Sequence, residues 1–388
     1  MKFYEAKIKI LSPTIIPERR FERGYKGQLS YIPSTTLRGA ILSSLYTKGY
    51  LSLDQIKAIG ESYELLVSNA YLIDNEFKSY PSHPFMYKCK IPHGTDEKGN
   101  KIFESKIFIS EDEVANSLKS GIDPIFKFEC SKGHVAIEHP HPKPVRKANR
   151  SEEEFREVSI KVQSMISVGI SKHRASSQAG MLYEYDAMIE GQEFWCYIGV
   201  LRDEICKYIK SGLEIRIGRG ISRGFGRSVI EKIEEISLDK IIEELKSSNI
   251  AVEGKNIIFY SLSPLLKIDD YENYKSYPDI LDLKFLMNIC GLNEEAGILE
   301  IKKVYGKERN LHCGWDIYEN TKRPIFYDIA SEGSIAIGSI SGKNIPLSLA
   351  LLSLIGYPIK IFNKYVVTGI NMLTPIQINS FLWGKNNE

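Results

Sequence analysis

The chain has 388 residues, 43% of them hydrophobic, which is enough for a substantial core and favours two or three domains over one. Its 51 lysines and arginines nearly balance 49 aspartates and glutamates, and a net charge of +2 excludes a protein that is strongly basic or acidic as a whole. No apolar run approaches the roughly 18 residues of a membrane span, so we expect no membrane partner. Six cysteines without a hydrophobic N-terminal segment favour a reducing cytoplasm.

The first 73 residues predict one strand followed by two helices. FYEAKIKIL alternates as strands do, and PSTTLRGAILSSLY has helical apolar spacing with Ser34, Thr35 or Thr36 as its N-cap. A second helix is expected over LDQIKAIGESYELLVSNAYL. From about residue 74 to 150 the periodicity fails amid proline, glycine, histidine and lysine, which indicates an inserted subdomain.

After the insertion, Ser151 and Glu154 form a capping-box pattern that predicts a helix over EEEFREVSIKVQ. LYEYDAMIEGQEFWCYIGVL predicts a hairpin turning at residues 190–192, and RDEICKYIKSG predicts a short helix ended by Gly212. LEIRIGR and RSVIEKI predict strands on either side of a glycine-rich turn. This order matches the βαββαβ plan of ferredoxin-like domains, which RNA-recognition domains share.

A charged helix, LDKIIEELKSSN, marks a boundary near residues 236–255. Beyond it, PDILDLKFLMNICG and NIPLSLALLSLIG predict helices, and NIIFYSL, LEIKKVYG, GSIAIGSI and KYVVTGINML predict strands, an order that could repeat the first plan. We therefore predict an α+β protein with two tandem ferredoxin-like (RRM-like) domains, at residues 1–235 and 251–388. The insertion at about 74–150, which contains cysteine and histidine, belongs to the first domain.

Positive charge is unevenly distributed along the chain. No aspartate or glutamate occurs within residues 23–53, 139–151, 158–183 or 215–230, although each of these segments contains lysine or arginine. If the fold gathers them, they form a basic face suited to a polyanion. The alternative is that such runs arise by chance and only solvate a surface.

The stretch IRIGRGISRGFGRSVIEKI, residues 215–233, contains four arginines and four glycines. It lacks the Gly-Lys-Ser/Thr of a P-loop, and its glycines do not stand between a strand and a helix as in a dinucleotide fold. RGFG begins like an RNA-recognition signature, but Arg227 and Ser228 depart from it. Two interpretations remain. In one, the glycines let the backbone approach a polyanion, and its phosphates are neutralised by Arg216, Arg219, Arg223 and Arg227. In the other, the segment is an ordinary hairpin whose arginines are solvated.

Two Cys-x3-His pairs occur in the insertion, separated by 36 residues: Cys89 with His93 and Cys130 with His134. Two thiolates and two imidazoles suit tetrahedral zinc, which would stabilise an insertion without a large core of its own. These residues could instead merely decorate a loop. A structural zinc ion is the only cofactor that the sequence suggests.

Three motifs, taken in their order along the chain, resemble those of the RAMP superfamily of CRISPR-associated proteins. Its first-helix motif matches residues 33–39 of IPSTTLRGAI, its basic segment matches SKHRASSQAGMLY at His173, Arg174, Gly180, Leu182 and Tyr183, and its glycine-rich loop matches GRGISRGFGR. In the second half, Gly314, Trp315, Gly333 and Ser334 are similar to elements of large two-domain members that cap the 5′ tag of guide RNA. HRASSQAGMLYEYDAMIEG looks most like the large RAMP subunit of type III-D complexes.

The resemblance implies a non-catalytic subunit of a type III effector complex in antiviral defence. It would hold guide CRISPR RNA beside the large polymerase-like subunit and the backbone RAMP subunits. The expected RNA contacts are Ser34, Thr35, Thr36, Arg38, Lys172, His173, Arg174, Arg219, Arg223 and Arg227.

Two alternatives stay open. One is a metal-independent repeat endoribonuclease that uses His173 as general acid or base beside Arg174. The other is a scaffold subunit that makes no direct contact with RNA. No catalytic residue is assigned on the leading interpretation.

Overall fold

A computed structural model describes residues 1–21, 24–95, 99, 101–124, 128–148, 154–171, 176–248, 250, 254–269, 273–316, 321–362 and 364–383. Among these residues, no helix is both long enough and apolar enough to cross a membrane. Residues up to 74 form β1 (Lys2–Ile10), β2 (Pro17–Phe21), β3 (Gly24–Gln28), β4 (Tyr31–Ile32), α1 (Ser34–Thr47), α2 (Leu53–Gly60), β5 (Leu65–Val67) and β6 (Ala70–Asp74).

Short elements follow up to residue 157: β7 (Phe77–Lys78), β8 (Tyr80–Pro81), β9 (Met86–Cys89), β10 (Gly94–Thr95), β11 (Lys101–Ile102), β12 (Ser105–Ile107), α3 (Asp112–Lys119), β13 (Ile137–Glu138), β14 (Pro144–Lys147) and β15 (Phe155–Glu157). The first half ends with longer ones: β16 (Val162–Ser171), β17 (Ser176–Met188), β18 (Glu193–Val200), α4 (Asp203–Cys206), β19 (Leu213–Arg216), β20 (Arg227–Glu235) and α5 (Leu238–Ser247).

The second half contains β21 (Asn256–Ser261), β22 (Lys267–Ile268), β23 (Tyr274–Lys275), β24 (Ile280–Asp282), α6 (Lys284–Ile289), β25 (Gly297–Tyr305), β26 (Glu308–His312), β27 (Trp315–Asp316), β28 (Thr321–Lys322), β29 (Ile325–Ala330), β30 (Ile335–Gly342), α7 (Ile345–Ile355), β31 (Ile359–Ile361), β32 (Tyr365–Val367), β33 (Leu373–Pro375) and α8 (Ser380–Trp383). Short 3-10 turns cover Ile221–Arg223 and Ile376–Ile378.

Two antiparallel sheets organise the molecule. The first has the order β19-β20-β1-β18-β6-β4, and the second has the order β24-β25-β30-β21-β33. In the first sheet, alternate residues of β1 point inward, and Ala6, Ile8 and Ile10 join the core that α1 closes with Leu37 and Ile41. The predicted α+β class is confirmed.

The two sheets share α7, which is buried on nearly all sides because both halves of the chain pack against it. Phe3 and Leu66 of the first half belong to the same apolar cluster as Leu351. Gly199 in β18 makes this approach possible, since a Cβ there would lie 2.9 Å from Ile355 Cγ2. The halves are therefore held together by a continuous core.

Several predicted elements differ from those observed. The helix expected over residues 152–163 is wrong: β15 covers Phe155–Glu157 and β16 begins at Val162. The apolar residues Val158, Ile160 and Val162 alternate with the period of a strand rather than that of a helix. The second predicted helix ends at Gly60, after which the chain forms β5 and β6. The expected hairpin at 190–192 is also wrong, because β17 pairs with β16 and β3 while β18 pairs with β1, β5 and β6.

Further differences concern element ends. The N-cap of α1 is Pro33, so Ser34 is already helical and no side chain caps the helix. In the second half, Ile280–Asp282 is a strand ahead of a shorter helix. The last predicted strand is divided into β32 and β33. Local residue propensities predicted where these elements lie, whereas tertiary packing determines the residues at which they begin and end.

Two buried histidines join residues 82–141 to the second half. Nδ1 of His141 donates to the Ser82 carbonyl at 2.5 Å, and its Nε2 accepts from the Lys307 amide at 3.1 Å. Nε2 of His83 donates to the Leu382 carbonyl at 2.9 Å, and its Nδ1 accepts from the Phe85 amide at 3.2 Å. Each ring thus uses one N–H and one lone pair, which requires the neutral form.

Acid should weaken this junction. Burial lowers the pKa of His141 to about 4, although the Ser82 carbonyl and Glu332 oppose it, and burial lowers the pKa of His83 to about 3. Because the unfolded chain binds these protons first, stability should be constant above pH 6.5 and fall as the pH drops towards 4. The loss from His141 alone should be on the order of 3 kcal/mol.

Urea unfolding between pH 8 and pH 4 measures this effect. His141→Gln should unfold more easily at pH 7 and lose less additional stability in acid than the wild type. Equal pH dependence in the two proteins would contradict the assignment of a neutral, buried His141.

Candidate functional site

The arginine-glycine loop, residues 217–226, connects β19 to β20. The two strands pair antiparallel as predicted, with Arg216 opposite Arg227 at the mouth of the loop. Residues 221–223 form a single 3-10 turn inside it. The side chains of Arg216, Arg219, Arg223 and Arg227 are all exposed. The loop therefore presents guanidinium groups to solvent from a short segment of backbone.

The glycines of this loop allow the chain to approach its own backbone. All four have positive φ, and a Cβ on Gly218 would lie 2.3 Å from the Ile15 carbonyl oxygen. A Cβ on Gly226 would lie 2.1 Å from the Ile217 carbonyl oxygen. The Arg219 amide donates to Ile15 at 2.9 Å, and the Gly226 amide donates to Pro13 at 2.9 Å. These contacts hold the loop against residues 13–15.

A four-stranded sheet with the order β16-β17-β3-β2, separate from the two large sheets, lies beside the loop. Nη1 of Arg223 donates to the Tyr185 hydroxyl in β17 at 3.1 Å, and the guanidinium carbon lies 5.6 Å from the centre of that ring. Strands β17 and β3 pair in parallel, so Tyr185 is opposite Tyr25. Three of the four acid-free segments are thereby neighbours. The fourth segment meets the start of residues 158–183, since the Val158 amide donates to the Pro144 carbonyl at 3.0 Å. Its Arg146 is buried and pairs with Asp74 at 2.5 Å.

The hairpin of β16 and β17 has an exposed apolar face formed by Ile166, Val168, Ile170 and Leu182. The connection between its strands contains Lys172, His173 and Arg174, which lie outside the described residues. Their predicted RNA contacts therefore remain predictions. The hairpin nevertheless carries this basic segment and contacts the arginine-glycine loop through Tyr185.

At the start of α1, the predicted contact residue Ser34 has internal partners. The Ser34 amide donates to Asn69 Oδ1 at 2.9 Å, and the Ser34 hydroxyl donates to the Thr368 carbonyl at 2.5 Å. Thr35 and Thr36 are partly exposed and stand in the first turn, where helical amides have no partner within the helix. Only these two threonines present accessible first-turn positions.

Arg38 is buried and serves the fold. Its guanidinium donates to the carbonyls of Ile59, Gly60, Ser62 and Leu65 at 2.7–3.1 Å. These carbonyls lie at and after the end of α2, where a cation is favourable. Burial, with a smaller effect from Arg323, lowers the pKa of Arg38 to about 10, so the group remains charged. An RNA phosphate at this guanidinium would have to displace these carbonyls.

Of the second-half motif residues, Gly333 lies at the junction of the halves. Gly333 has φ of +81°, and a Cβ there would lie 2.2 Å from the Ser82 carbonyl oxygen. The Ser334 hydroxyl donates to the Ser331 carbonyl at 2.7 Å. Gly314 and Trp315 lie at the start of the short β27–β28 pair. Glycine is therefore required at position 333 by its close packing against Ser82.

The four predicted metal ligands converge. The ligand atoms of Cys89, His93, Cys130 and His134 all lie within 4.8 Å of one another. Cys89 Sγ is 3.4 Å from His134 Nδ1, close to the roughly 3.5 Å expected between two ligands of a tetrahedral zinc ion. The His134 amide donates to Cys130 Sγ at 3.1 Å. This donor set could hold a metal ion, and zinc fits it best.

A buried atom without a partner supports the same fit. Nε2 of His93 is buried and, within the described part of the chain, has no hydrogen-bond partner. On the other side of the ring, Nδ1 lies 3.3 Å from Glu104 Oε2. Glu104 was not among the predicted site residues, because nothing in the local pattern connects it to ligands 11 residues before it and 26 residues after it. Burial opposes its ionisation, but hydrogen bonds from Ser131 outweigh this and lower its pKa.

Comparison with known proteins identifies one family. The RAMP superfamily model matches residues 7–230, more than half of the chain. No curated protein matches. A chain of the type III-B Cmr-beta complex bound to cognate target RNA and AMPPnP has 14% identity and a TM-score of 0.44, with 86% of each chain covered.

Two further solved structures are similar over long stretches. A chain of the Csm3–Csm4 subcomplex of a type III-A CRISPR-Cas interference complex has 17% identity and a TM-score of 0.38, covering 97% of this chain and 99% of that one. Oligomeric Cmr4 from Pyrococcus furiosus has 13% identity and a TM-score of 0.29, covering 61% and 100%. At these values the likeness by itself assigns no subunit role.

Substituting two loop glycines by alanine should distinguish the loss of stability caused by close packing from the loss caused by backbone strain. Gly226→Ala adds a methyl group that collides with Ile217, whereas Gly224→Ala meets no atom within 4 Å and incurs only the strain of positive φ. We expect Gly226→Ala to lower the free energy of unfolding by at least about 1 kcal/mol more than Gly224→Ala. Equal losses in urea unfolding would show that the Gly226 contact is unimportant.

Proposed function

This chain belongs to the RAMP superfamily, and on that premise we propose that it is a non-catalytic, guide-RNA-binding subunit of a type III CRISPR effector complex in the cytoplasm. It holds the guide by its backbone, at the 5′ repeat-derived tag. Its protein neighbours are the large polymerase-like subunit and the backbone RAMP subunits, in a complex of the type III-D kind. The observation that carries the proposal is the exposed arginine cluster of the arginine-glycine loop beside the β16–β17 hairpin.

The geometry of that cluster favours capture of a phosphate backbone. Three exposed arginines lie within nine residues: Arg219 and Arg223 in the loop, and Arg227 directly after it. The loop is fixed by backbone hydrogen bonds to residues 13–15. Guanidinium groups bind phosphate oxygens through two parallel N–H donors, and positioning them in advance lowers the entropy lost on binding. Since phosphates carry no base identity, this contact would hold RNA of any sequence.

The neighbouring hairpin extends the same surface. Its connection contains Lys172, His173 and Arg174, which we propose follow the RNA chain beyond the loop. The exposed Ile166, Val168, Ile170 and Leu182 supply apolar area for bases or a neighbouring subunit. Thr35 and Thr36 at the start of α1 offer a further phosphate contact through their amides. Ser34 and Arg38 support this site from inside, since their donors are bonded within the protein.

We also propose that each half is a ferredoxin-like unit. In the first half, the strands in chain order β1, β6, β18 and β20 lie in the spatial order β20-β1-β18-β6. In the second half, the strands β21, β25, β30 and β33 lie in the order β33-β21-β30-β25. Both are the 4-1-3-2 arrangement that a βαββαβ unit produces. Residues 74–150 would then be an insertion between the second and third strands of the first unit.

We further propose that Cys89, His93, Cys130 and His134 hold a structural zinc ion. When bound, zinc would link the turn after β9 to the turn before β13. Among the described residues, the apolar cluster around these turns has four buried members, Cys89, Phe108, Cys130 and Phe128, so it supplies little stability on its own. The ion would have no role in catalysis.

Replacing Arg219, Arg223 and Arg227 together by alanine should weaken RNA binding and its dependence on salt. The slope of log K against log salt concentration should become shallower by about 2, because each lost phosphate contact to a single strand contributes about 0.7. Filter binding of guide RNA across a salt series measures it. A matched control replaces three exposed lysines on the helices α2 and α5, Lys57, Lys240 and Lys246.

A slope that is unchanged by the arginine substitutions would contradict the proposal, and an absence of salt-dependent affinity in the wild type would favour a scaffold without RNA contact. The same preparations test the nuclease alternative. Specific cleavage of repeat RNA that disappears in His173→Ala would establish an endoribonuclease instead.

Zinc should copurify with the protein at one ion per chain. Cys89→Ser should lose the ion, and a chelator should lower the melting temperature of the wild type but not that of this variant. Cys206→Ser, which alters a cysteine outside the cluster, serves as the control. Elemental analysis and thermal unfolding provide the two readouts. A wild type that contains no zinc and takes up none would refute the zinc proposal.

A further inference from the structure

We propose that Glu104 is the positioning residue of the metal site: it selects Nε2 of His93 as a ligand and connects the two Cys-x3-His turns. This inference rests on the zinc proposal above. Glu104 itself lies outside the group of four ligands. Its role follows from the contacts that it makes with both turns.

The first contact fixes which ring nitrogen of His93 faces the cluster. Oε2 of Glu104 lies 3.3 Å from His93 Nδ1, and a carboxylate accepts a hydrogen bond from a ring N–H. Glu104 therefore pairs with the Nδ1 side of the ring and leaves Nε2 for the cluster. That nitrogen is the buried atom without a hydrogen-bond partner among the described residues. Glu104 thus presents to the cluster the nitrogen that can bind a metal ion.

The second contact reaches the other turn. The amide of Ser131, the residue after Cys130, donates to both oxygens of the Glu104 carboxylate at 3.0 Å. The Ser131 hydroxyl donates to Oε2 at 2.5 Å. One carboxylate therefore contacts His93 of the first pair and the residue next to Cys130 of the second pair.

A third contact is made by the backbone. The Glu104 carbonyl accepts a hydrogen bond from the Cys89 amide at 2.9 Å. Residue 104 is consequently bonded to three of the four ligand positions, directly at Cys89 and His93 and through Ser131 at Cys130. Such an arrangement would hold the ligands near their final geometry before the ion arrives and reduce the ordering that binding requires.

Electrostatics act in the same direction. Two thiolates balance the charge of a zinc ion. The Glu104 carboxylate adds a negative charge next to the His93 imidazole, which would donate an electron pair to the ion. Removing an outer carboxylate of this kind typically weakens metal binding 10- to 100-fold. Glu104→Gln keeps the size of the side chain and removes the charge.

The test compares the metal-binding protein with Glu104→Gln and with Glu129→Gln, a control that removes the same charge at an exposed position beside Cys130. Competition for zinc against a chromophoric chelator should give a 10- to 100-fold weaker affinity for Glu104→Gln and no change for Glu129→Gln. The absorption bands of bound Co²⁺ should change only in Glu104→Gln. Thermal unfolding of the metal-free proteins checks that each variant is folded.

Nitrogen-15 NMR of the histidine rings adds a measurement that needs no variant. In the zinc-bound wild type, His93 should bind the ion through Nε2 and carry its proton on Nδ1. A proton on Nε2 would overturn the inference, as would equal zinc affinity and identical Co²⁺ spectra in Glu104→Gln and Glu129→Gln. A wild type that binds no zinc would refute the zinc proposal itself, whereas a wild type that binds zinc without needing Glu104 would refute only this inference.

Discussion

Backbone contact between the arginine-glycine loop and residues 13–15 is the constraint on which the proposed RNA-binding surface depends. The contact requires glycine at 218, where a Cβ would lie 2.3 Å from the Ile15 carbonyl oxygen. The loop itself requires glycine at 226, where a Cβ would lie 2.1 Å from the Ile217 carbonyl oxygen. The contact orients the loop next to β17, where Arg223 meets Tyr185. The glycines thus shape the surface by fixing where the arginines leave the backbone.

The halves of the molecule are joined by two different kinds of contact. Helix α7 supplies a dry, apolar junction, and Gly199 allows its close approach to β18. His83 and His141 supply a polar junction whose hydrogen bonds require neutral rings. These histidines connect the segment that carries the cysteine–histidine cluster to the second half. A rigid body of this kind can present distant surfaces to RNA and to protein neighbours in a fixed relation.

Local sequence patterns predicted some parts of this arrangement well. Helix α1, the strands that flank the arginine-glycine loop, and the convergence of Cys89, His93, Cys130 and His134 are all as expected. The strands follow from period-two alternation, and the four ligands follow from the preference of one metal for thiolate and imidazole. These features depend on residue types and short spacings.

Other parts depend on contacts between distant segments and could not be predicted. The capping-box pattern at Ser151 indicated a helix, but strand pairing with β14 and β17 prevailed. The first-helix motif that contains Arg38 gives no sign of the carbonyls at and after the end of α2 to which its guanidinium donates. Glu104 carries no local sign of its role, since both of its side-chain partners belong to loops formed elsewhere in the chain.

Photo-cross-linking of the native ribonucleoprotein, followed by mass spectrometry of the cross-linked peptides, tests the RNA-binding account most directly. Guide RNA labelled at its 5′ repeat-derived end should cross-link to this subunit, within the arginine-glycine loop or the β16–β17 hairpin. Cross-links confined to neighbouring subunits, or to the face of this subunit opposite the loop, would contradict it.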